Sequence, residues 1–310
     1  MRAGWRLKIG IVGTGALGSL FGGLLTEAGH DTLLLGRYGQ ISELQNLRIK
    51  TMNNERNVAV RTTRDPMMLA DSELLLFTMK SYSIDDAIRQ LPAELFDDCI
   101  VLALQNGIGH LERMRNVIQN GIILAGVTYQ AATLIQTGYV IHAAVGPTVL
   151  GPLGKDDRVA AESAAEALTV GGIPSKVVDD INRELWIKLL INAAINPLAA
   201  ITGMKNGDLV NDPEVMNMMW AVIKEGSSVC EKLGVRIRKE DIFQRVIEVT
   251  EATAGNRSSM LQDVTKGRKT EIEAINGVIV ENGRRLGLET PVNEKLFSRV
   301  VSLTKFKVDD

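Results

Sequence analysis

The sequence predicts an α/β domain built on a parallel sheet, joined near residue 180 to an all-α domain. Three observations predict it. Short apolar runs alternate with helix-patterned segments through the first half, as in a parallel sheet covered by helices on both faces. One apolar run ends at a glycine cluster, residues 13–18, that opens a helix. Beyond residue 180 the strand signals fade and long segments carry helical spacing.

The elements follow in order. Residues 8–12 read as a buried strand, a short apolar run stopped by glycine. Residues 16–28 read as a helix, with Gly29 as its stop signal. Residues 32–35, 74–79, 100–104 and 121–127 read as further strands, with helical character at 85–90. Between residues 139 and 150 short β runs are broken by Gly146 and Pro147, which predicts antiparallel edge strands closing the sheet. In the second half, residues 184–201, 213–233, 239–254, 271–286 and 294–305 have helical spacing, and Gly234 and Gly287 sit where C-terminal caps belong. The expected domains are therefore residues 1–180 and 181–310.

Composition bounds the function. At 310 residues, 45% hydrophobic and 23% charged, the chain suits soluble globular domains. A formal net charge of −2 offers no basic surface, so a nucleic-acid partner is not expected. Cys99 and Cys230 are the two cysteines, each in an apolar setting; they read as buried reduced thiols, which points to the cytoplasm. His30, His110 and His142 lack ligand-like spacing, so no metal site is expected. The N-terminal residues are too few and too Gly-rich for a signal peptide. The longest apolar stretch, residues 185–201, carries a lysine and two asparagines, so no membrane span is expected.

The glycine cluster reads Gly13-Thr14-Gly15-Ala16-Leu17-Gly18. The first glycine allows a tight turn, the second lets backbone approach a pyrophosphate, and the third lets helix and strand pack closely. The helix N-terminus adds free N–H groups and a positive dipole end. A dinucleotide cofactor is therefore expected here, against the alternative of an ordinary structural turn. At the end of the second strand, where an NAD-binding unit places Asp or Glu, stand Gly36 and Arg37. Without a carboxylate the 2′-phosphate of NADP meets no repulsion, and Arg37 can clamp it; the alternative is a solvated turn arginine. NADPH is the expected cofactor. Lys80 and Asn106 each follow a strand of the sheet, at the edge where ligands of such sheets bind, although a surface lysine and an Asn-Gly turn fit the same residues.

The segment from Glu184 through Pro197 is apolar except for residues recurring every fourth position. At about 100° per residue, Lys188, Asn192 and Asn196 fall within roughly 80° of one face. Such groups on a buried helix cost about 1–3 kcal/mol each if unsatisfied, so the stripe is expected to line a polar cleft. A Glu184–Lys188 ion pair, with the asparagines capping nearby backbone, is the alternative. Pro197 is expected to break or kink the helix after Asn196. Lys188 is then the candidate general acid, its ammonium made more acidic by burial. A later polar cluster spans residues 256–263 and leads to Thr270 and Glu273, which have capping-box spacing; Glu271 there reads as a carboxylate favoured in a first helical turn.

Taken together, the Gly13–Gly18 loop, Leu104-Gln105-Asn106-Gly107, Trp186-Ile187-Lys188 through Asn192 and Asn196-Pro197, Asn206-Gly207, and residues 256–263 running on to Thr270-Glu271-Ile272-Glu273-Ala274-Ile275-Asn276-Gly277 resemble the ketopantoate reductase (2-dehydropantoate 2-reductase) family over nearly the whole chain. The resemblance implies an N-terminal Rossmann domain plus a helical domain like that of 6-phosphogluconate dehydrogenase. It implies an oxidoreductase that reduces 2-dehydropantoate to (R)-pantoate with NADPH, on the route to pantothenate and coenzyme A. It makes Lys188 the proton donor and Glu271 the holder of the substrate's primary hydroxyl. Asn192, Asn196 and Ser259 would bind hydroxyl and carboxylate, with Asn206 and Asn256 beside them. Asn106, Arg37 and Lys80 would serve the cofactor and the cleft edge. The expected partner is a small 2-keto acid, and a homodimer is compatible with the sequence. Two other readings stand beside this one: a related 2-keto acid reductase with an altered pocket, and a non-catalytic NADPH-binding module. The second is disfavoured because a sensor needs no proton donor.

Overall fold

Apolar runs buried on both faces dictate the first unit. Leu74–Phe77 reads Leu-Leu-Leu-Phe and every residue is buried, as in a parallel sheet covered on both sides. The computed structural model describes residues 6–36, 45–154 and 157–305. The chain divides into two compact units, Met1–Gln105 with Leu111–Ile181, and Asn106–His110 with Asn182–Asp310.

The first unit contains, in chain order, β1 (Lys8–Val12), α1 (Ala16–Glu27), β2 (Asp31–Leu35), β3 (Asn46–Lys50), β4 (Glu55–Ala59), β5 (Arg61–Thr63), β6 (Leu74–Phe77), α2 (Ile84–Gln90), β7 (Ile100–Ala103), α3 (His110–Val117, whose first residue groups with the second unit), β8 (Ile122–Thr128), β9 (Ala131–Gln136), β10 (Tyr139–Ala144), β11 (Thr148–Pro152), α4 (Arg158–Val170) and β12 (Ser175–Val177). The large sheet has the order β12-β11-β8-β7-β6-β1-β2-β5. From β5 to β8 every pairing is parallel; β11 runs antiparallel to β8, and β12 parallel to β11. The chain leaves β1 toward β2 on one side and returns to β6 on the other. Their carboxyl ends therefore form the switch point where ligands of such sheets bind.

The expectation for residues 139–150 is corrected. β10 leaves the large sheet and joins a second sheet of order β4-β3-β10-β9, and β11 lies inside the large sheet rather than at its edge. The small sheet exists because α1 has a second face to cover. β3 alternates exposed and buried residues, as a one-faced strand should, and its Leu47 and Ile49 press on α1. A Cβ at Gly23 would meet both at 2.6 Å, and one at Gly22 would meet Leu34 of the large sheet at 2.8 Å. The paired glycines let α1 lie between two sheets.

The second unit is built around α5 (Ile181–Thr202, whose first residue groups with the first unit), followed by α6 (Asn206–Leu209), α7 (Pro213–Lys232), α8 (Lys239–Ala252), α9 (Ser259–Thr265), α10 (Asn276–Arg285) and α11 (Pro291–Lys305). α5 packs Trp186, Ile187, Leu190, Ala194 and Leu198 into the core with residues of α7, α8 and α10. Among the described residues α5 alone is long and apolar enough to cross a membrane, and 78% of its apolar window is buried inside the protein, as in a core helix.

Two further expectations are corrected here. Of the break or kink expected at Pro197, the break does not occur: the helix continues to Thr202. Proline cannot donate to the carbonyl of Ala193, four residues back, and the Asn276 amide donates to that oxygen instead, at 3.2 Å. The helix expected from residue 271 starts later: Ile272–Ala274 is a single 3₁₀ turn, and α10 begins at Asn276 after Ile275 takes φ −111° and ψ −91°. No side-chain cap forms at that turn. Glu273 pairs instead with Lys269 at 3.0 Å on the exposed surface, so the expected capping box is absent.

Candidate active site

In the first unit, the glycine loop connects β1 to α1. Gly13 has φ +107°, and a Cβ there would lie 2.8 Å from the Met79 backbone nitrogen. A Cβ at Gly18 would lie 1.9 Å from the Gly13 carbonyl oxygen. That carbonyl also accepts from the Thr78 hydroxyl at 2.8 Å, which ties the loop to the end of β6. Gly15 is different: a Cβ there would meet nothing within 4 Å. It is the N-cap of α1, has no side-chain cap bond, and is followed by a first turn without acidic residues. Protein backbone therefore explains the glycines at 13 and 18. The one at 15 leaves open space beside uncapped N–H groups, the cradle a pyrophosphate requires. Thr14 is buried, and Ala16 and Leu17 begin α1. Gly36 follows β2 and donates to the Thr63 carbonyl at 3.2 Å. Arg37 lies outside the described residues. Lys80 is partly buried just beyond β6.

In the second unit, α5 presents the polar stripe. Lys188 and Asn192 are partly buried, and Asn196 is 7% exposed. The helix is apolar almost all round, so desolvation lowers the Lys188 ammonium to about 8. Glu184 accepts from Arg183 at 3.2 Å. Asn192 Nδ2 donates to Asn106 Oδ1 at 3.4 Å, and Asn106 Nδ2 donates to Glu271 Oε2 at 3.2 Å. The structure thus brings together three of the sequence candidates from distant parts of the chain. Asn106 groups with the helical unit because Gly107 (φ +90°) lets the chain approach the Ala274 carbonyl, which a Cβ would meet at 2.3 Å. Glu271 is buried, and so accepts its hydrogen bond away from bulk water.

The other candidates lie nearby in sequence but are held separately. Asn206 is buried; its Nδ2 donates to Thr253 Oγ1 at 2.8 Å, its backbone N–H to the Asn256 carbonyl at 3.0 Å, and its Oδ1 accepts no hydrogen bond. Asn256 is partly buried. Ser259 is exposed at the first residue of α9, whereas the preceding Ser258 is buried and caps that helix by accepting from the Leu261 N–H at 3.1 Å. Thr78, Ser258 and Asn276 have structural functions that the sequence reading assigns to none of them. Burial pushes the thiols of Cys99 and Cys230 up to about 12, so neither serves as a nucleophile near neutral pH.

Comparison with known proteins finds a family match over each half of the chain. The family described as ketopantoate reductase PanE/ApbA matches residues 9–155, and its C-terminal counterpart matches residues 180–303. The chain belongs to the ketopantoate reductase family. It is an oxidoreductase with the N-terminal Rossmann domain and helical C-terminal domain of that family. A relative named 2-dehydropantoate 2-reductase, from Archaeoglobus fulgidus, is 38% identical over 296 residues, covering 94% of this chain and 96% of its own. Another of that name, from Escherichia coli O157:H7, is 36% identical and covers 95% of this chain and 94% of its own. Among solved structures, a PanE/ApbA family ketopantoate reductase from Ralstonia eutropha superposes with a TM-score of 0.89 at 30% identity, covering 97% of this chain and 99% of its own. D-mandelate dehydrogenase with NADH and anilino(oxo)acetate superposes with a TM-score of 0.92 at 24% identity, over 97% of this chain and 99% of its own, a likeness of fold.

Proposed function

We propose that this reductase converts 2-dehydropantoate to (R)-pantoate with NADPH, as a step toward pantothenate and coenzyme A. The observation that carries the reading is the hydrogen-bonded set Asn192–Asn106–Glu271, with Lys188 one helical turn before Asn192 in a largely apolar stretch of α5. The nicotinamide supplies a hydride to the C2 carbonyl carbon when bound. The Gly13–Gly18 loop would hold the pyrophosphate of the cofactor on the α1 N-terminus, with Lys80 beside it, and Arg37 would hold the 2′-phosphate.

The remaining chemistry falls to this chain. Lys188 stabilises the alkoxide that develops at the C2 oxygen and gives it a proton. With its ammonium at about 8, most of the lysine is protonated at neutral pH, yet it is a far better acid than a solvated lysine. Glu271 accepts the primary hydroxyl of the substrate, and Asn106 holds the carboxylate in place by donating to its Oε2. Asn192, Asn196 and Ser259 donate to the substrate hydroxyl and carboxylate, with Asn206 and Asn256 at the edge of this set.

The test is a steady-state panel of 2-keto acids with NADPH and with NADH. The expected result is a kcat/KM for 2-dehydropantoate at least about tenfold above that for other 2-keto acids. Higher efficiency with a different 2-keto acid would overturn the substrate. The Rossmann fold does not choose the cofactor, since D-mandelate dehydrogenase holds NADH in it. The choice rests on Gly36 and Arg37, and NADPH is expected to be favoured over NADH by about tenfold or more in kcat/KM. Equal use of the two would remove Arg37 from the assignment.

The open space at Gly15 gives a second prediction. Gly15→Ala is expected to fold with a Tm within about 2 °C of wild type, because its φ of −73° suits alanine and no protein atom is in the way. NADPH affinity should nevertheless fall at least about tenfold. Gly18→Ala, aimed at the Gly13 carbonyl, should lower Tm sharply instead. Melting curves with and without NADPH separate the two; unchanged affinity in Gly15→Ala would empty the cradle of its proposed ligand.

A further inference from the structure

The carbonyl of Ala193 is the one that Pro197 leaves without its helical donor. It lies between Asn192 and Asn196, in the turn of α5 that carries both side chains. Asn276, at the start of α10 and fully buried, donates to it through Nδ2 at 3.2 Å. The second proton of the same amide goes to Asn293 Oδ1 at 3.0 Å. Both Nδ2 protons are used, and both acceptors fix which way the amide points. Asn293, fully buried on α11, is held equally firmly. Its Nδ2 donates to Glu225 Oε2 at 2.7 Å and to the Val222 carbonyl at 3.4 Å. Glu225 on α7 accepts the backbone N–H groups of Val292 and Asn293 at 2.9 and 3.0 Å, which caps the first turn of α11.

We infer that Asn276 is a positioning residue for the reaction: it replaces the hydrogen bond lost to Pro197, and so fixes the Asn192–Asn196 turn relative to the segment bearing Glu271. A buried carbonyl without a donor in an apolar helix would bend the helix or draw in water. Either outcome moves Asn192 and Asn196, which are proposed to bind substrate. Lys188 lies in the preceding turn and is disturbed less. Loss of Asn276 therefore weakens substrate binding more than it slows chemistry. This kinetic part rests on the reductase reading; the replacement of the lost bond does not.

A double-mutant cycle between the two positions tests the inference. Asn276→Leu is expected to raise KM for 2-dehydropantoate about tenfold while kcat falls less than about threefold and the NADPH Kd is unchanged. Pro197→Ala returns a backbone N–H to the Ala193 carbonyl. In that background Asn276→Leu should raise KM less than about threefold. A purely structural role would lower Tm and the active fraction, hence kcat, and leave KM alone. An equal KM effect in both backgrounds, or a loss confined to kcat, overturns the inference. If Asn276→Leu does not fold, Asn293→Ser, which removes the brace but not the Asn276 donor, should give the same KM rise in milder form; an unchanged KM there overturns it too. Melting temperatures of the four variants of the cycle read the replaced bond without any turnover. Pro197→Ala should recover at least half of the Tm lost with Asn276→Leu. If wild type does not reduce 2-dehydropantoate but the Tm coupling holds, the substrate reading fails and the replaced bond stands.

Discussion

Lys188→Ala is expected to lower kcat by about a thousandfold or more, while the Kd for NADPH changes little. A positioned general acid contributes about 10²–10⁴, and a cation at the developing alkoxide contributes on the same scale. The pH dependence has a defined sign. The acid acts in its protonated form, and desolvation lowers that ammonium from 10.5 to about 8. kcat/KM for reduction should therefore be level below about pH 8 and fall about tenfold per pH unit above it. Lys188→Arg keeps a cation but loses a titratable acid in this range, so its residual activity should lack the alkaline limb. Stability moves the other way. Because the folded state holds this lysine at a lower value than the unfolded chain does, charging it disfavours folding. That penalty is full below about pH 8 and disappears above the unfolded value of 10.5. Lys188→Met should raise Tm at neutral pH and show little gain at pH 11 in the same buffer series. Turnover unchanged in Lys188→Ala would take this residue out of the mechanism.

Much of the first unit is legible in the sequence because its signals are local. β1, the glycine loop and α1 are adjacent, and Gly13 and Gly18 stand where the spacing expects a tight turn and close packing. The small sheet is not legible for the opposite reason. β3 pairs in parallel with β10, Arg48 opposite Tyr139, and neither strand carries a signal that names its partner. Its cause, the second face of α1 at Gly23 that the large sheet does not cover, becomes visible only when α1 has been placed on that sheet. The reading of residues 139–150 as one closing edge fails there, since a two-residue alternation reports a half-buried strand but not which sheet buries it.

The candidate site divides along the same line. Lys188, Asn192 and Asn196 stand out because three polar residues on one face of an apolar helix need an explanation. Glu271 does not stand out, since a carboxylate near a helix start is ordinary; the family resemblance selects it, and its bond to Asn106 follows from tertiary contact. Asn276 lies in the same motif but its use is hidden, because it depends on a carbonyl 83 residues away that Pro197 deprives of a donor. Proline in a helical pattern predicts a break when only the helix is considered. The helix survives because a neighbouring side chain supplies what the proline removed.

Glu271→Ala is expected to act on one substrate and spare another. The carboxylate is buried and accepts from Asn106 Nδ2, an environment where a hydrogen bond to the proposed substrate hydroxyl is strong. A hydrogen bond to a charged acceptor is worth about 1.5–3 kcal/mol, which corresponds to about 10–150-fold in kcat/KM. Reduction of 2-dehydropantoate should fall by at least that range in Glu271→Ala, because the variant also leaves the Asn106 amide without its acceptor. Trimethylpyruvate has the same carbon skeleton without the primary hydroxyl. Wild type should use it poorly, since a buried carboxylate is then left facing a methyl group. Glu271→Ala should use it as well as wild type does, or better, so the ratio of the two substrates collapses from one side only. Glu271→Gln keeps one oxygen to accept from Asn106 but replaces the other with an N–H donor, to which the hydroxyl can only act as acceptor, and should lie between wild type and alanine for 2-dehydropantoate. Parallel losses on both substrates would make Glu271 a structural carboxylate and would remove the feature that singles out a hydroxyl-bearing 2-keto acid.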